Sequence, residues 1–226
     1  AMDPQQRILL ELSQELLDTS GYTTEEFRGT DTGVFIGGHE SNYGRNIRGR
    51  PKYAGRNGIT NVIGNMMVGR VMHFLDLQGP GETVYTACSS SLVALHKACR
   101  SLAQGECTMA IAGGIELLLD EEWFLGFSAA KVLSREGKCK VFDRNADGFV
   151  LGEGAGLFLL KQLDRALNDG DQIIGVIRSS AVNNDGHTMG LTTPSLPAQR
   201  KVISSALSRA RLDPGEITLY EAHGTG

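Results

Sequence analysis

The stretch Glu82-Thr83-Val84-Tyr85-Thr86-Ala87-Cys88-Ser89-Ser90-Ser91-Leu92 marks a point where a strand passes directly into a helix. Residues 83–85 favour a strand, and the apolar residues after Cys88 recur at helical spacing. We therefore expect Cys88 at the opening of a helix, where unpaired N–H groups stabilise the thiolate that attacks a carbonyl. The alternative is that Cys88 is a small buried hydrophobe, the usual role of a free cysteine, and periodicity alone favours that alternative.

His223 is the best candidate for a base that acts with the Cys88 thiol. It lies in the segment Glu221-Ala222-His223-Gly224-Thr225-Gly226, after a predicted strand and before two glycines. Loops commonly use this placement to present a functional side chain. A helix-opening thiol and a distant histidine in a glycine-rich loop together predict nucleophilic acyl chemistry.

The other four histidines are weaker candidates for this role. His96 follows Cys88 on the same predicted helix, about 12 Å further along its axis, which is too far for a hydrogen bond. We interpret His96 as a flanking or surface residue. His39 and His187 lie in polar loops and are expected to be solvated, whereas His73 lies in an apolar run and is expected in the core.

Composition limits the classes of protein to which the chain can belong. With 226 residues, 41% hydrophobic content and a net charge of −4, the chain can form one or two globular domains and lacks the positive field that nucleic acids require. No apolar run is long enough to span a membrane, and no secretory leader is evident. A reduced, cytoplasmic setting without a metal site fits the spacing of the four cysteines, Cys88, Cys99, Cys107 and Cys139.

Strand and helix patterns alternate along the chain, which predicts an α/β fold with layers around a partly parallel, buried sheet. Strands are predicted at 32–36, 82–85, 109–112, 154–163, 173–182 and 217–221. Helices are predicted at 4–20, 59–74, 88–104, 121–132 and 197–211. On the helix after Cys88, one apolar face is expected to contain Cys88, Leu92, Leu95, Cys99 and Leu102.

Two further segments resemble ligand-binding motifs. Asp143-Arg144-Asn145-Ala146-Asp147-Gly148 matches the first half of a calcium-binding EF-hand loop, but position 12 is Gly154 where a glutamate is needed. We therefore expect no calcium there. The glycines of residues 152–156 lack the spacing of a dinucleotide loop and are interpreted as a site of tight sheet packing.

Taken together, these segments resemble the ketosynthase of a modular polyketide synthase, within the β-ketoacyl synthase and thiolase-like superfamily. The matching segments, in family order, are Asp3-Pro4-Gln5-Gln6-Arg7, Leu75-Asp76-Leu77-Gln78-Gly79-Pro80, Thr86-Ala87-Cys88-Ser89-Ser90-Ser91-Leu92, Gly105-Glu106, Ala112-Gly113-Gly114, Phe142-Asp143 with Ala146-Asp147-Gly148, Gly152-Glu153-Gly154, Asn184-Asp185-Gly186 and the His223 segment. The resemblance implies a thiolase-like, layered α-β-α-β-α fold, with residues 1–166 as the N-terminal half and 167–226 as the beginning of the C-terminal half. The remainder is expected beyond Gly226, and the isolated chain is expected to be inactive.

The resemblance also implies roles for individual residues. Cys88 would take an acyl chain from the phosphopantetheine thiol of an acyl carrier protein, and its backbone N–H would supply half of the oxyanion hole. His223 would be the first of two histidines that assist decarboxylation of a malonyl-type extender, whose carbanion attacks the Cys88 thioester. Thr225 would contact the pantetheine arm. No intrinsically bound cofactor is implied, and a homodimer with the sheet extended across the subunits is expected.

Three positions depart from the family pattern. Tyr85 stands where the family usually has an aspartate, Leu151 where it has an arginine, and His73 where it has an aromatic residue. Tyr85 is close enough to Cys88 to raise the question of substrate preference or full activity. A second hypothesis is a non-elongating ketosynthase-like domain that binds or transfers acyl chains, which is favoured if the downstream sequence lacks the second histidine. A thiolase lacks support because no second catalytic cysteine is evident, and a calcium-binding module is a remote third choice.

Overall fold

A computed structural model describes residues 2–47 and 57–225 and divides the chain into two compact units. The first unit consists of residues 1–171 together with 223–226, and the second of residues 172–222. Within the described residues, no helix has the length and apolar character needed to cross a membrane. Both units are considered separately below.

The first unit is built on a four-stranded mixed sheet with the strand order β2-β1-β3-β4. β1 runs parallel to β2 and β3, and β4 pairs antiparallel to β3, with Val34 opposite both Gly81 and Ile111 and with Ala112 opposite Phe158. The predicted partly parallel sheet is therefore confirmed. The strands are β1 (Gly33–Gly37), β2 (Gly81–Val84), β3 (Met109–Glu116) and β4 (Gly154–Lys161).

The described parts of the chain contain eight α-helices, seven in the first unit and the last in the second. They are α1 (Pro4–Ser20), α2 (Thr24–Phe27), α3 (Tyr43–Ile47), α4 (Met66–Leu75), α5 (Ser90–Gln104), α6 (Glu122–Ala129), α7 (Leu163–Asp169) and α8 (Leu196–Ala210). α1 begins as predicted, because the Asp3 carboxylate caps it by accepting a hydrogen bond of 2.8 Å from the Gln5 N–H. It ends where Gly21 adopts a left-handed conformation with φ 78°.

Two core clusters lie on opposite faces of the sheet. Val34 and Ile36 of β1 join the cluster formed with α1 and α4, whereas Phe35 between them joins the cluster formed with α5. This alternation follows from the two-residue period of a strand. The first unit therefore has helix, sheet and helix layers, with α5 alone contributing the helical part of its cluster.

The predicted apolar face of α5 is confirmed only in part: Leu102 is buried and Leu95 packs against the same core cluster, but the start of the face is not buried. Leu92 is 70% exposed and Cys88 is also exposed, whereas the helix is buried through Ala94, Ala98 and Leu102. Small side chains form most of the contact because the helix lies close to β3, whose residues on this face are Ala110 and Ala112. Helical spacing identified the element correctly, but hydrophobicity alone did not identify the face with close backbone approach.

The helix predicted at 59–74 begins later, at Met66. The residues before it form hydrogen-bonded turns, such as Ile63 N–H to the Ile59 carbonyl at 3.3 Å. A side chain at Gly64 would come within 3.3 Å of the Glu40 backbone nitrogen, so this segment also packs tightly against the loop after β1. Tertiary packing therefore overrides the helical pattern there.

The strands predicted at 173–182 and 217–221 are not assigned as strands in the structure. A strand requires a neighbouring strand for its ladder of hydrogen bonds, and none pairs with these segments in the described residues. Ile174 is 97% exposed and Leu219 is 81% exposed. In the second unit, the helix predicted at 197–211 is confirmed within one residue as α8. In the first unit, α7 was missed because the predicted strand was extended to Leu163.

Candidate active site

A strained turn presents Cys88 between β2 and α5. Ala87 has φ 52°, in the left-handed region that alanine rarely adopts, and α5 begins at Ser90. The Cys88 side chain is exposed. The interpretation of Cys88 as a buried hydrophobe is therefore wrong, and its thiol lies at the positive end of the α5 dipole.

Hydroxyl groups of the serines that follow Cys88 close this turn. Buried Ser90 accepts a hydrogen bond from the Thr86 N–H at 2.9 Å and donates to the Ala87 carbonyl at 2.6 Å. Ser89 donates to the Thr86 carbonyl at 2.9 Å. These bonds hold the backbone on both sides of the thiol.

Two glycines allow the start of α5 to lie directly against the sheet. A methyl group on Gly37, at the end of β1, would overlap the backbone of Ser90 and Ser91. One on Gly114, in β3, would come within 2.7 Å of the Ser91 Cβ. These glycines place the Cys88 turn at the carboxyl edge of the parallel strands, where α/β sheets commonly bind ligands.

His223 and Thr225 lie in the short segment, residues 223–226, that belongs to the same compact unit as Cys88. Both side chains are exposed. Among the described residues, no hydrogen bond links the Cys88 thiol to the His223 imidazole. The roles expected for His223 and Thr225 therefore remain predictions.

Three of the four remaining histidines lie in environments that differ from the predicted ones. His96 is only 8% exposed rather than on the surface, and His73 is exposed rather than in the core. His39 is not solvated, because the exposed fraction of its side chain is 12%. His187 is exposed as predicted. Burial of His73 and His96 depends on which face of α4 or α5 meets the sheet, and the local sequence did not define that face.

His39 is a functional candidate that sequence analysis missed. Its Nε2 lies 2.9 Å from Oε1 of Glu116, and its Nδ1 lies 2.6 Å from the Glu40 carbonyl oxygen. Its ring centroid lies 5.5 Å from that of Tyr85 and 5.2 Å from that of Trp123. The hydrogen bond with Glu116 raises the pKa of His39, against the opposing effect of burial. The sequence did contain one indication of this contact. His39 follows β1 and Glu116 ends β3, and the ends of two parallel strands lie at the same carboxyl edge of the sheet.

Asp3 and Gln5 of the N-terminal motif form hydrogen bonds with the backbone and side chains at this edge of the sheet. Buried Gln5 donates a hydrogen bond to the His39 carbonyl at 3.0 Å and accepts one from the Leu117 N–H at 3.1 Å. Buried Asp3 accepts a hydrogen bond from Ser41. Asp3 and Gln5 therefore link the segments that follow β1 and β3.

The EF-hand-like segment is occupied by contacts within the protein. The Lys140 ammonium lies 3.1 Å from both Asp147 and Glu136, and Ser134 donates to Asp147 at 2.9 Å. The hydrogen bond from Lys140 lowers the pKa of Asp147. In the described residues, no cluster of three or more His, Cys, Asp or Glu side chains is suited to a metal ion.

Tight sheet packing occurs at Gly113 rather than at the glycines of residues 152–156. A methyl group on Gly113 would overlap the Gly156 carbonyl, whereas one on Gly152, Gly154 or Gly156 would meet nothing within 4 Å. The close contact therefore does involve Gly156 of the predicted segment, but the glycine whose missing side chain allows it is Gly113 of β3.

Known proteins resemble the chain along its full length. It is 46% identical to cyclo-acetoacetyl-L-tryptophan synthase of Aspergillus oryzae and 45% identical to polyketide synthase PksN of Bacillus subtilis. Each comparison covers 100% of the chain but only 6% and 4%, respectively, of these relatives. The chain thus spans a small part of the relatives that it matches.

Solved ketosynthases show the same fold. The ketosynthase from module 6 of the bacillaene synthase of Bacillus subtilis superposes with a TM-score of 0.90 at 37% identity, over 99% of this chain and 38% of that one. An oxazolomycin ketosynthase domain of Streptomyces albus gives a TM-score of 0.93 at 37% identity, over 100% and 40%. The fold is therefore thiolase-like, as predicted.

Family models give the same assignment. The model described as the β-ketoacyl synthase N-terminal domain matches residues 1–166, and that of the C-terminal domain matches residues 174–226. Together with an exposed cysteine on a strained turn at the start of a helix, these matches identify the family. The chain belongs to the β-ketoacyl synthase family.

Proposed function

We propose that this chain supplies the acyl-accepting part of a polyketide-type ketosynthase, with Cys88 as the nucleophile. The observation that carries the proposal is the exposed Cys88 thiol on the strained turn before α5. The thiol lies beside the start of α5, and amides near the turn are suited to hold an oxyanion. Relatives named as polyketide synthases support the reaction class.

The proposed reaction has two stages. First, the Cys88 thiolate attacks the carbonyl carbon of an acyl thioester, and the phosphopantetheine thiolate of an acyl carrier protein leaves. Second, a malonyl-type extender loses CO₂, and the electron pair of the broken bond forms an enolate. Its carbon attacks the Cys88 thioester, a carbon–carbon bond forms, and the Cys88 thiolate leaves. The covalent intermediate divides one difficult step into two.

His223 and Thr225 are assigned to the second stage by family resemblance. A histidine that donates a hydrogen bond to the developing enolate oxygen lowers the barrier, and each 1.4 kcal/mol is worth about tenfold in rate. His223 has this role in the proposal, together with a second histidine and a lysine expected beyond Gly226. Thr225 contacts the pantetheine arm. Residues 1–166 and 167–226 are assigned to the two halves of the ketosynthase.

The remaining proposals concern partners and setting. The substrates are carried on phosphopantetheine, so no intrinsically bound cofactor is required. β2 is an edge strand of the described sheet, and a homodimer that extends the sheet across subunits would use such an edge. All four cysteines are free, which fits a reducing, cytoplasmic compartment.

Acylation of the full-length protein tests the proposal. After incubation with an acyl-pantetheine thioester, tryptic digestion releases residues 71–97, in which Cys88 is the only cysteine. We expect the acyl mass on this peptide and its loss in Cys88→Ala. Cys139→Ala is the matched control because Cys139 is also an exposed free thiol. An adduct that persists in Cys88→Ala, or no adduct at all, would refute the proposal.

Release of CO₂ from a malonyl-type thioester separates condensation from simple acyl transfer. The acylated protein is expected to release CO₂ and form a longer acyl product. Acylation of Cys88 without CO₂ release would instead support the non-elongating alternative.

A further inference from the structure

His39 joins four segments at the carboxyl edge of the parallel strands. It lies two residues beyond β1, and its imidazole reaches Glu116 at the end of β3. Its ring contacts Tyr85, the first residue after β2, and Trp123 of α6. Tyr85 lies three residues before Cys88 in the segment that presents the thiol. His39 therefore contacts this segment directly, through the Tyr85 ring.

The hydrogen bonds of His39 define its protonation. Nδ1 faces a backbone carbonyl oxygen, that of Glu40, and Nε2 faces the Glu116 carboxylate. Both partners only accept hydrogen bonds, so each ring nitrogen must carry a proton to satisfy the pair. Neutral imidazole has a single N–H and leaves one of these contacts unmade. The imidazolium therefore fits this site.

Negative groups around His39 stabilise that cation. Glu116 faces it from β3, and Asp3 at the start of α1 adds a second negative charge. The segment after β2 contributes the Tyr85 phenol ring, and α6 contributes the Trp123 indole. Hydrogen bonding to Glu116 outweighs burial and raises the pKa of His39. Gln5 holds the His39 carbonyl, so the backbone is fixed as well as the ring.

We propose that His39 is a positioning residue for Cys88, whose imidazolium, anchored by Glu116, supports the Tyr85 ring and thereby the turn that presents the thiol. This inference rests on the proposed acyl-accepting function of Cys88. It assigns a role to Tyr85, at the position where the family usually has an aspartate. The face of a tyrosine ring attracts a cation, and the Glu116 carboxylate stabilises the positive charge of His39.

The test compares acylation rate constants of the full-length wild-type protein and His39→Phe across pH. Phenylalanine keeps a ring beside Tyr85 and Trp123 but makes neither hydrogen bond. Below the pKa of His39 we expect the wild-type protein to acylate Cys88 about threefold to tenfold faster at saturating acyl-pantetheine, the factor that one hydrogen bond is worth. The half-saturating concentration should not change. The ratio of the two rate constants should fall towards one as pH rises through that pKa, because the wild-type histidine then loses its second proton.

Glu116→Gln provides a second variant that keeps the size of the side chain. Without the carboxylate, the pKa of His39 falls, so the pH at which the advantage over His39→Phe disappears should move to a lower value. Glu82→Gln is the matched control: Glu82 is also a strand glutamate in an ion pair, with Lys97 at 2.7 Å, but it does not contact His39. This control should keep the wild-type pH profile.

The outcomes separate the inference from the proposed function. Failure of the wild-type protein to form the Cys88 adduct refutes the proposed function itself. Two results overturn the role of His39 alone, provided that the wild-type protein forms a normal Cys88 adduct. One is a ratio of wild-type to His39→Phe acylation rate constants that is the same at every pH. The other is a pH midpoint of that ratio that Glu116→Gln does not shift. If His39→Phe does not fold, the acylation rate constants of Glu116→Gln and of the wild-type protein are compared directly across pH. The profile of Glu116→Gln should then have its midpoint at a lower pH.

Discussion

Replacing Gly37 by alanine tests whether close contact between β1 and α5 positions the Cys88 turn. The added Cβ would overlap the Ser90 and Ser91 backbone and lie 2.6 Å from the Ser91 Cα, where ordinary contacts are 3.4–4 Å. The neighbours are backbone atoms and cannot rotate away, so the start of α5 must move by about 1 Å. Overpacking of this kind costs about 1–3 kcal/mol, and we expect the upper end because no side chain can yield.

Gly126→Ala is the matched control for this substitution. Gly126 lies within α6, and a methyl group there would meet nothing within 4 Å. Alanine in a helix interior is more favourable than glycine by about 1 kcal/mol. The same chemical change is therefore expected to destabilise the protein at Gly37 and to stabilise it at Gly126.

Hydrogen exchange of the full-length protein, followed by mass spectrometry, measures these effects locally. A loss of about 3 kcal/mol corresponds to amides of β1 and α5 that exchange about 100-fold faster. We also expect slower acylation of Cys88 in Gly37→Ala, because the turn is attached to the displaced helix start. Unchanged exchange in β1 and α5, or equal effects of the two substitutions, would refute the packing argument.

Two further predictions concern the Cys88 turn and the pH dependence of stability. Ser90→Ala leaves the Thr86 N–H without its partner and should cost about 1–3 kcal/mol of stability in the same exchange assay. Ser89→Ala, at an exposed residue, should cost less. Equal losses of stability in the two variants would contradict this prediction. Burial opposes ionisation of Asp171, but hydrogen bonds from Lys161 and Tyr22 lower its pKa overall. The ionised Asp171 therefore contributes its full stabilisation above the ordinary aspartate pKa and loses it as pH falls through the lowered pKa of the folded protein. Asp171→Asn should reduce the fall in melting temperature on acidification. A fall equal to that of the wild-type protein would contradict this linkage.

The sequence predicted elements well where local patterns carry the information. α1 and α8 were placed within one residue of their observed bounds, because proline and serine or aspartate at their starts are strong local signals. The segments at 173–182 and 217–221 have the composition of strands but no partner in the described residues. Composition reports a preference for pairing, whereas an assigned strand requires the pairing itself.

The position of Cys88 in the fold was predictable, but the contacts around it were not. Its place between a strand and a helix follows from a local sequence pattern. His39 and Glu116 are 77 residues apart, and only the parallel pairing of β1 with β3 brings their ends together. No periodicity within either segment contains that information, which explains why His39 was expected to be solvated.

Strain at Ala87 explains why the turn needs its serines. A left-handed alanine costs about 1–2 kcal/mol relative to an ordinary conformation. Each net hydrogen bond contributes about 1 kcal/mol, and Ser90 and Ser89 make three bonds to the backbone of Thr86 and Ala87. These contributions offset the strain, so the serines after Cys88 stabilise a backbone conformation that the chain would otherwise leave. Ser89 and Ser90 thus act on geometry, because they hold the backbone that presents the exposed thiol at the start of α5.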